Sequence, residues 1–174
     1  LWLSDTDLIK MLNEQGIEAY APAVGPFSSA WDRACELYAQ LTGTTVDYGE
    51  AHSKAHGHDR FGFTYEPVMG EAWNLEDKIN LVGHSFGGAT IRVFATLMAK
   101  GDDAERKATS ADEISPLFTG GKADYIYSLT TLAAPSNGTT AYSSPAEDKD
   151  TAAYDMYIDN ALELNKKMVT DKNT

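Results

Sequence analysis

The stretch of residues 79–90, INLVGHSFGGAT, decides the fold class of this chain. Its apolar start, Ile79 to Val82, is typical of a short buried strand, and residues 86–100 have the apolar spacing of a helix. Between them, Gly83-His84-Ser85-Phe86-Gly87 matches the G-x-S-x-G pattern, whose glycines allow a sharp turn from strand to helix. The sequence therefore predicts a strand, a tight turn that exposes Ser85, and a helix.

Ser85 is the candidate nucleophile. A serine hydroxyl reacts well only when it is exposed, aligned with a base, and close to N–H donors that stabilise the developing oxyanion. In this kind of turn the residue after the nucleophile provides one such backbone N–H, which here belongs to Phe86. Two other interpretations of the pattern are a glycine-rich turn that packs a helix on a sheet and a phosphate-binding loop.

The base for Ser85 is not evident. The four histidines are His52, His56, His58 and His84. Enzymes with this turn carry their triad in the order serine, acid, histidine, so the base is expected after Ser85, where the sequence has no histidine. His84 is a poor candidate because adjacent residues at such a turn point in different directions.

Composition and charge narrow the function classes. The 174 residues are 43% hydrophobic and 23% charged, as in an ordinary globular domain, which excludes disordered and fibrous classes. The net charge of -12 argues against nucleic acid and anionic membranes as partners. No apolar run is long enough to predict an integral membrane segment, and no signal peptide is recognised. The single cysteine, Cys35, is predicted to be buried in a helix.

Helical and strand patterns alternate along the chain. Helices are predicted at residues 4–13, from Ser28 or Ser29 to Leu41, at 86–100 and at 151–168; strands are predicted at 17–21, 78–83 and 123–134. Residues 44–70 show neither helical nor strand periodicity and are interpreted as an insertion. Such alternation predicts an α/β fold with a mostly parallel sheet flanked by helices.

Three histidines lie close together in the segment from His52 to Asp59, HSKAHGHD, which is interpreted as a loop. Imidazoles with carboxylates suit zinc, whereas the alternative is a solvated polar loop. His56-Gly57-His58-Asp59 also resembles the H-x-H-x-D-H motif of metallo-β-lactamase-like hydrolases. Arg60 stands where that motif requires histidine, which argues against this class.

Several segments together resemble the zinc-containing true lipases of Gram-positive bacteria, a group that includes thermoalkalophilic and staphylococcal lipases. They are AVGPFSSAWDRACELYAQLTGTTVDYGEAHSKAHGHDRFG, INLVGHSFGGAT, SPLFTGG and LAAPSNGTT. The resemblance implies a single α/β-hydrolase core over residues 1–174, incomplete at both ends. It also implies a zinc-binding insertion at about 44–70 and a shortened or missing lid at about 141–149.

The resemblance also implies a set of site residues. Ser85 is the nucleophile and Phe86 the oxyanion donor, and a structural zinc is bound by Asp32, His52, His58 and Asp150, with His56 left unliganded. Asp32 and Asp150 are also plausible helix caps. The triad acid, the triad histidine and a calcium site of the family have no counterpart in this sequence. The chain is therefore expected to be either a truncated form or joined pieces of a longer chain.

Two functions from different classes follow. The first is a secreted serine hydrolase that cleaves carboxylic esters of lipids, or other esters, through an acyl-enzyme on Ser85. The second is a catalytically incomplete, zinc-stabilised fragment or binding module, which the missing triad histidine and acid favour. A metallo-hydrolase is the third interpretation.

Overall fold

In the computed structural model, residues 7–74 and 77–138 are described, and they form a mixed α/β structure. The helices are α1 (Leu8–Glu14), α2 (Ala30–Thr42), α3 (Glu50–His56), α4 (Phe86–Lys100) and α5 (Asp103–Ala108). The strands are β1 (Thr45–Asp47), β2 (Phe61–Thr64), β3 (Ile79–His84) and β4 (Ile126–Leu132). Short 3₁₀ turns lie at Pro116–Phe118 and Ala123–Tyr125.

The strands β3 and β4 form the parallel pair that carries the strand-to-helix turn. Leu81 lies opposite Leu129, and His84 lies opposite Leu132. Parallel strands need a long crossover, and this one contains α4, which packs against both strands and against α2. On β3, Leu81 and Gly83 are buried whereas Val82 is exposed, so the two faces of the strand differ. The predicted parallel arrangement is confirmed for this pair.

The predicted ends of α2 and α4 are confirmed. The Ser29 hydroxyl accepts a hydrogen bond from the Asp32 N–H (3.0 Å) at the start of α2, and Gly43 ends the helix in a left-handed conformation with φ 66°. Helix α4 ends at Gly101, as predicted. Cys35 is buried in α2, as predicted, and burial together with nearby carboxylates raises the pKa of its thiol well above the usual value.

The prediction of a strand at residues 17–21 is wrong. The segment is irregular, and the Ile17 side chain is 52% exposed. The Asn13 side chain instead bonds both backbone groups of Ala19, donating to its carbonyl (3.0 Å) and accepting from its N–H (3.0 Å). A strand needs a neighbouring strand, and the described residues provide none for this segment. Helix α1 begins later than predicted, with Asp7 as its N-cap.

The interpretation of residues 44–70 as irregular is also corrected. This segment contains α3 and the antiparallel pair of β1 and β2, so His52 and His56 lie on a helix and not in a loop. Each element has seven residues or fewer, which is too short to show a clear sequence period. Side-chain contacts within the segment hold them: the Arg60 guanidinium, just before β2, donates two hydrogen bonds to the Asp47 carboxylate at the end of β1 (2.9 and 2.8 Å).

Three predictions lie outside the described residues: the helix at 151–168, the lid at about 141–149 and the zinc ligand Asp150. The single-core organisation and its zinc-binding insertion stay predictions. Among residues 7–74 and 77–138, no helix has the length and hydrophobicity needed to cross a membrane.

Replacing Phe94 by alanine should lower the free energy of unfolding by about 3–5 kcal/mol, because the ring is 0% exposed at the centre of α4 and its loss leaves a cavity. Urea unfolding checks this. Thr96→Ala on the exposed face of the same helix is the control and should change stability by about 0.5 kcal/mol or less. Equal effects of the two substitutions would contradict this account of the core.

Candidate functional site

Ser85 lies at the turn between β3 and α4 with a strained backbone. Its φ of 53° and ψ of -129° are rare for a residue with a side chain and cost about 1–3 kcal/mol. Its N–H donates to the Leu132 carbonyl (2.9 Å), and its carbonyl accepts from the Gly88 N–H (3.0 Å). The residue is exposed, so the strained turn presents its side chain to solvent at the carboxyl end of the parallel pair.

Two glycines allow α4 to approach the sheet closely. A Cβ at Gly83 would lie 2.5 Å from the Gly87 carbonyl oxygen and 2.7 Å from the Gly88 nitrogen. A Cβ at Gly88 would collide with the side chain of Ala134. At Gly87 a Cβ would meet nothing within 4 Å among the groups compared. The steric requirement therefore falls on Gly83 and Gly88, and the G-x-S-x-G pattern does not include Gly88.

Phe86 is the first residue of α4, where a backbone N–H has no partner within the helix. The Ser85 side chain makes no capping hydrogen bond to this helix, and the Gly88 N–H of the first turn donates to the Ser85 carbonyl. The Phe86 N–H is therefore not occupied by a side-chain cap. The Phe86 ring is 41% exposed and lies under the Arg33 guanidinium, whose central carbon is 4.9 Å from the ring centroid. Burial lowers the pKa of Arg33, and the negative charge of Glu36 partly offsets this decrease.

Asp32, His52 and His58 form a second cluster, on α2, α3 and the residues after α3. One ligand atom from each lies within 4.8 Å of the others. His52 Nε2 is 2.9 Å from Asp32 Oδ1, and His58 Nε2 is 3.9 Å from the same oxygen. Two imidazole nitrogens and a carboxylate oxygen form a donor set that suits zinc, so the cluster could hold a metal ion.

The two oxygens of Asp32 have different neighbours. Oδ2 accepts a hydrogen bond from the Ser29 hydroxyl (2.9 Å), which itself caps α2, whereas Oδ1 faces the histidines. His58 Nδ1 lies 2.9 Å from the Asp59 carbonyl oxygen, which can only accept. With its proton on Nδ1, His58 has its lone pair on Nε2, which faces Asp32. A backbone acceptor such as the Asp59 carbonyl commonly orients metal-binding imidazoles in this way.

Aromatic stacking holds the His52 ring. Trp31 lies parallel to it, with ring centroids 4.9 Å apart and an angle of 11°, and Trp31 stacks in turn on Phe118 (5.4 Å, 13°). Trp31 Nε1 donates to the Tyr48 carbonyl (2.8 Å), which fixes the indole. Burial, with the neighbouring His56 and His58, lowers the pKa of His52 although the Asp32 carboxylate opposes the shift, so the neutral form that binds metals is favoured.

The structure brings three of the four predicted metal ligands together and places Ser85 and Phe86 at a separate turn. His56, predicted to be unliganded, has its ring 4.4 Å from the His52 ring and is not a member of the three-residue cluster. Sequence reasoning missed two supporting residues. Trp31 was interpreted only as part of the apolar stripe of a helix. Glu105 accepts a hydrogen bond from the His52 N–H, but it lies 53 residues from His52 in the sequence, where no local pattern connects the two.

Residues 2–148 match the family model described as "Lipase-like, C-terminal domain". The chain is 47% identical over 132 residues to a lipase of Staphylococcus epidermidis, a match that covers 75% of this chain and 19% of that protein. It is similar to the solved structure of EstA from Clostridium botulinum, with 49% identity, a TM-score of 0.73, and coverage of 78% of this chain and 31% of that one.

The crystal structure of Staphylococcus hyicus lipase is a further match, with a TM-score of 0.79 and 34% identity, and the match covers 96% of this chain and 43% of that chain. The chain belongs to the staphylococcal-type family of bacterial lipases and forms part of their fold. It spans only 19% of the length of the curated Staphylococcus epidermidis relative.

Replacing Ser85 by glycine should make the protein more stable than replacing it by alanine, by about 1 kcal/mol, because glycine adopts φ near +53° without the Cβ penalty. Urea unfolding of the two variants measures the difference. Val82→Ala and Val82→Gly form the control pair on the preceding strand, where glycine should be the less stable. A less stable glycine variant at position 85 would contradict the strained turn.

Proposed function

We propose that this chain is the nucleophile-bearing part of a secreted α/β-hydrolase that cleaves carboxylic esters of lipids. The observation that carries the proposal is the exposed Ser85, held with a positive φ at the turn between a parallel strand and a helix. Membership of a lipase family supports an ester substrate over a phosphate ligand at this turn. Backbone strain at a non-glycine residue such as Ser85 is typical of functional sites.

In the proposed reaction, Ser85 Oγ attacks the ester carbonyl carbon while a base takes its proton. The Phe86 N–H donates a hydrogen bond to the oxyanion, helped by the positive end of the α4 dipole. The C–O bond to the alcohol then breaks, the base protonates the leaving alcohol, and water later hydrolyses the acyl-enzyme. We assign the base to a histidine other than the four in this sequence. His52 and His58 face Asp32, the His56 ring packs against the His52 ring (4.4 Å), and His84 adjoins Ser85.

We further propose that Asp32, His52, His58 and Asp150 hold a structural zinc ion. The donor chemistry and close spacing of the first three support this assignment. Four protein ligands would complete a tetrahedral set and leave no position for a catalytic water. When bound, zinc supplies a cross-link between the start of α2 and the α3 segment, and the ester chemistry stays at Ser85.

Replacing Ser85 by alanine in the full-length protein should lower p-nitrophenyl ester turnover by about 10⁴-fold or more, because no other group can form the acyl-enzyme. The far-UV circular dichroism spectrum should be unchanged. Ser110→Ala, at an exposed site away from the turn, is the matched control and should retain full turnover. Turnover that survives in Ser85→Ala would refute the nucleophile assignment.

Elemental analysis of the full-length protein should find about one zinc per chain, the content expected of one closed four-ligand site. The double substitution His52→Ala and His58→Ala should abolish most of it, whereas His56→Ala should retain it. Chelation should lower the melting temperature before it lowers turnover. Unchanged zinc in the double variant would exclude the site, and immediate loss of turnover on chelation would instead favour a metallo-hydrolase.

A further inference from the structure

Glu105 on α5 is a buried carboxylate with no part in the proposed ester chemistry. The residue is 1% exposed. One carboxylate oxygen accepts a hydrogen bond from the His52 N–H (2.7 Å), and the other accepts from the Ala51 N–H (3.0 Å). A buried carboxylate is costly unless it is hydrogen-bonded, so these two bonds account for its position.

Helix α3 has no cap of its own. Its N-cap is Gly49, which offers no side-chain acceptor, and the first N–H groups of a helix need acceptors from outside. Gly49 has φ 94°, and a Cβ on it would collide with the Glu105 carboxylate. The glycine thus leaves the space through which Glu105 reaches the start of the helix.

The orientation of α3 depends on such external contacts because the helix has only seven residues, too few to be stable alone. At its other end, Gly57 is left-handed and its N–H donates to the Ser53 carbonyl (2.8 Å). At its start, Glu105 bonds the backbone of His52 itself. The main chain of a proposed metal ligand is therefore fixed to α5.

The element that carries Glu105 is fixed in turn to the residues around the His52 ring. Asp102 Oδ1 accepts from the Glu105 N–H (3.0 Å), and the Asp102 N–H donates to the Phe118 carbonyl (3.0 Å). Phe118 stacks on Trp31, which stacks on His52. The backbone and the ring of His52 are thus held by one connected set of contacts.

We infer that Glu105 is a positioning residue for the metal site, which keeps His52 in place by capping α3 from outside. Both of its oxygens are occupied by backbone N–H groups, so it acts through His52 and not as a ligand. This inference rests on the proposed zinc site. Loss of supporting contacts around metal ligands commonly lowers metal affinity by about 10–100-fold.

The test is the zinc dissociation constant of the full-length protein, measured by competition with a chelating dye, for Glu105→Met and Glu105→Gln. The visible spectrum of bound Co²⁺ reports ligand geometry in the same variants. Gln40→Met is the matched control, because Gln40 is also buried (6% exposed) and its amide bonds the backbone of Ala23 twice (3.1 and 2.9 Å).

Glu105→Met should bind zinc about 10-fold or more weakly, with an altered Co²⁺ spectrum, whereas Gln40→Met should keep both the affinity and the spectrum of the wild type. The zinc affinity of Glu105→Gln should lie between those of the wild type and Glu105→Met, because an amide has only one acceptor oxygen. Equal affinities of Glu105→Met and Gln40→Met would overturn the inference. If Glu105→Met does not fold, wild-type affinity in Glu105→Gln overturns it. A wild-type protein that binds no zinc would refute the proposed site itself.

Discussion

The close approach of α4 to β3 at Gly83 is the constraint on which the described structure depends. A side chain at this position would collide with the backbone at Gly87 and Gly88, so glycine permits the helix to begin directly over the end of the strand. At this turn Ser85 has a positive φ, and the first turn of α4 has no side-chain cap. Helix α4 also packs against α2, whose first turn carries Asp32, so the turn at Ser85 and one member of the cluster of Asp32, His52 and His58 lie on the same pair of packed helices.

The metal cluster depends on contacts between distant parts of the chain. Asp32 is placed by the capping interaction with Ser29, but His52 is placed by Glu105 behind its backbone and by Trp31 against its ring. None of these contacts requires zinc, so the cluster is largely preorganised. Bound zinc would be stabilised by this arrangement and would in turn hold the short helix α3 against the core.

Local chemistry explains what could be predicted from the sequence. The ends of α2 follow from Ser29 and Gly43. The strand, turn and helix around Ser85 follow from an apolar run typical of a strand, the apolar spacing of a helix, and the glycines between them. The strand predicted at residues 17–21 was wrong because a strand depends on a neighbour, which local alternation does not reveal. Helix α3 was missed because its cap, Glu105, comes from a distant element. Trp31 was visible as part of an apolar stripe, but its stacking on His52 was not.

The proposed ester chemistry requires Ser85 to be an activated nucleophile. The most direct measurement is treatment of the folded, full-length protein with a fluorophosphonate, followed by mass spectrometry of its peptides. We expect one covalent adduct, on the peptide that contains Ser85, because only a serine with a base and an oxyanion donor reacts at a useful rate. A folded protein in which Ser85 stays unlabelled would contradict the account and would indicate a catalytically incomplete module.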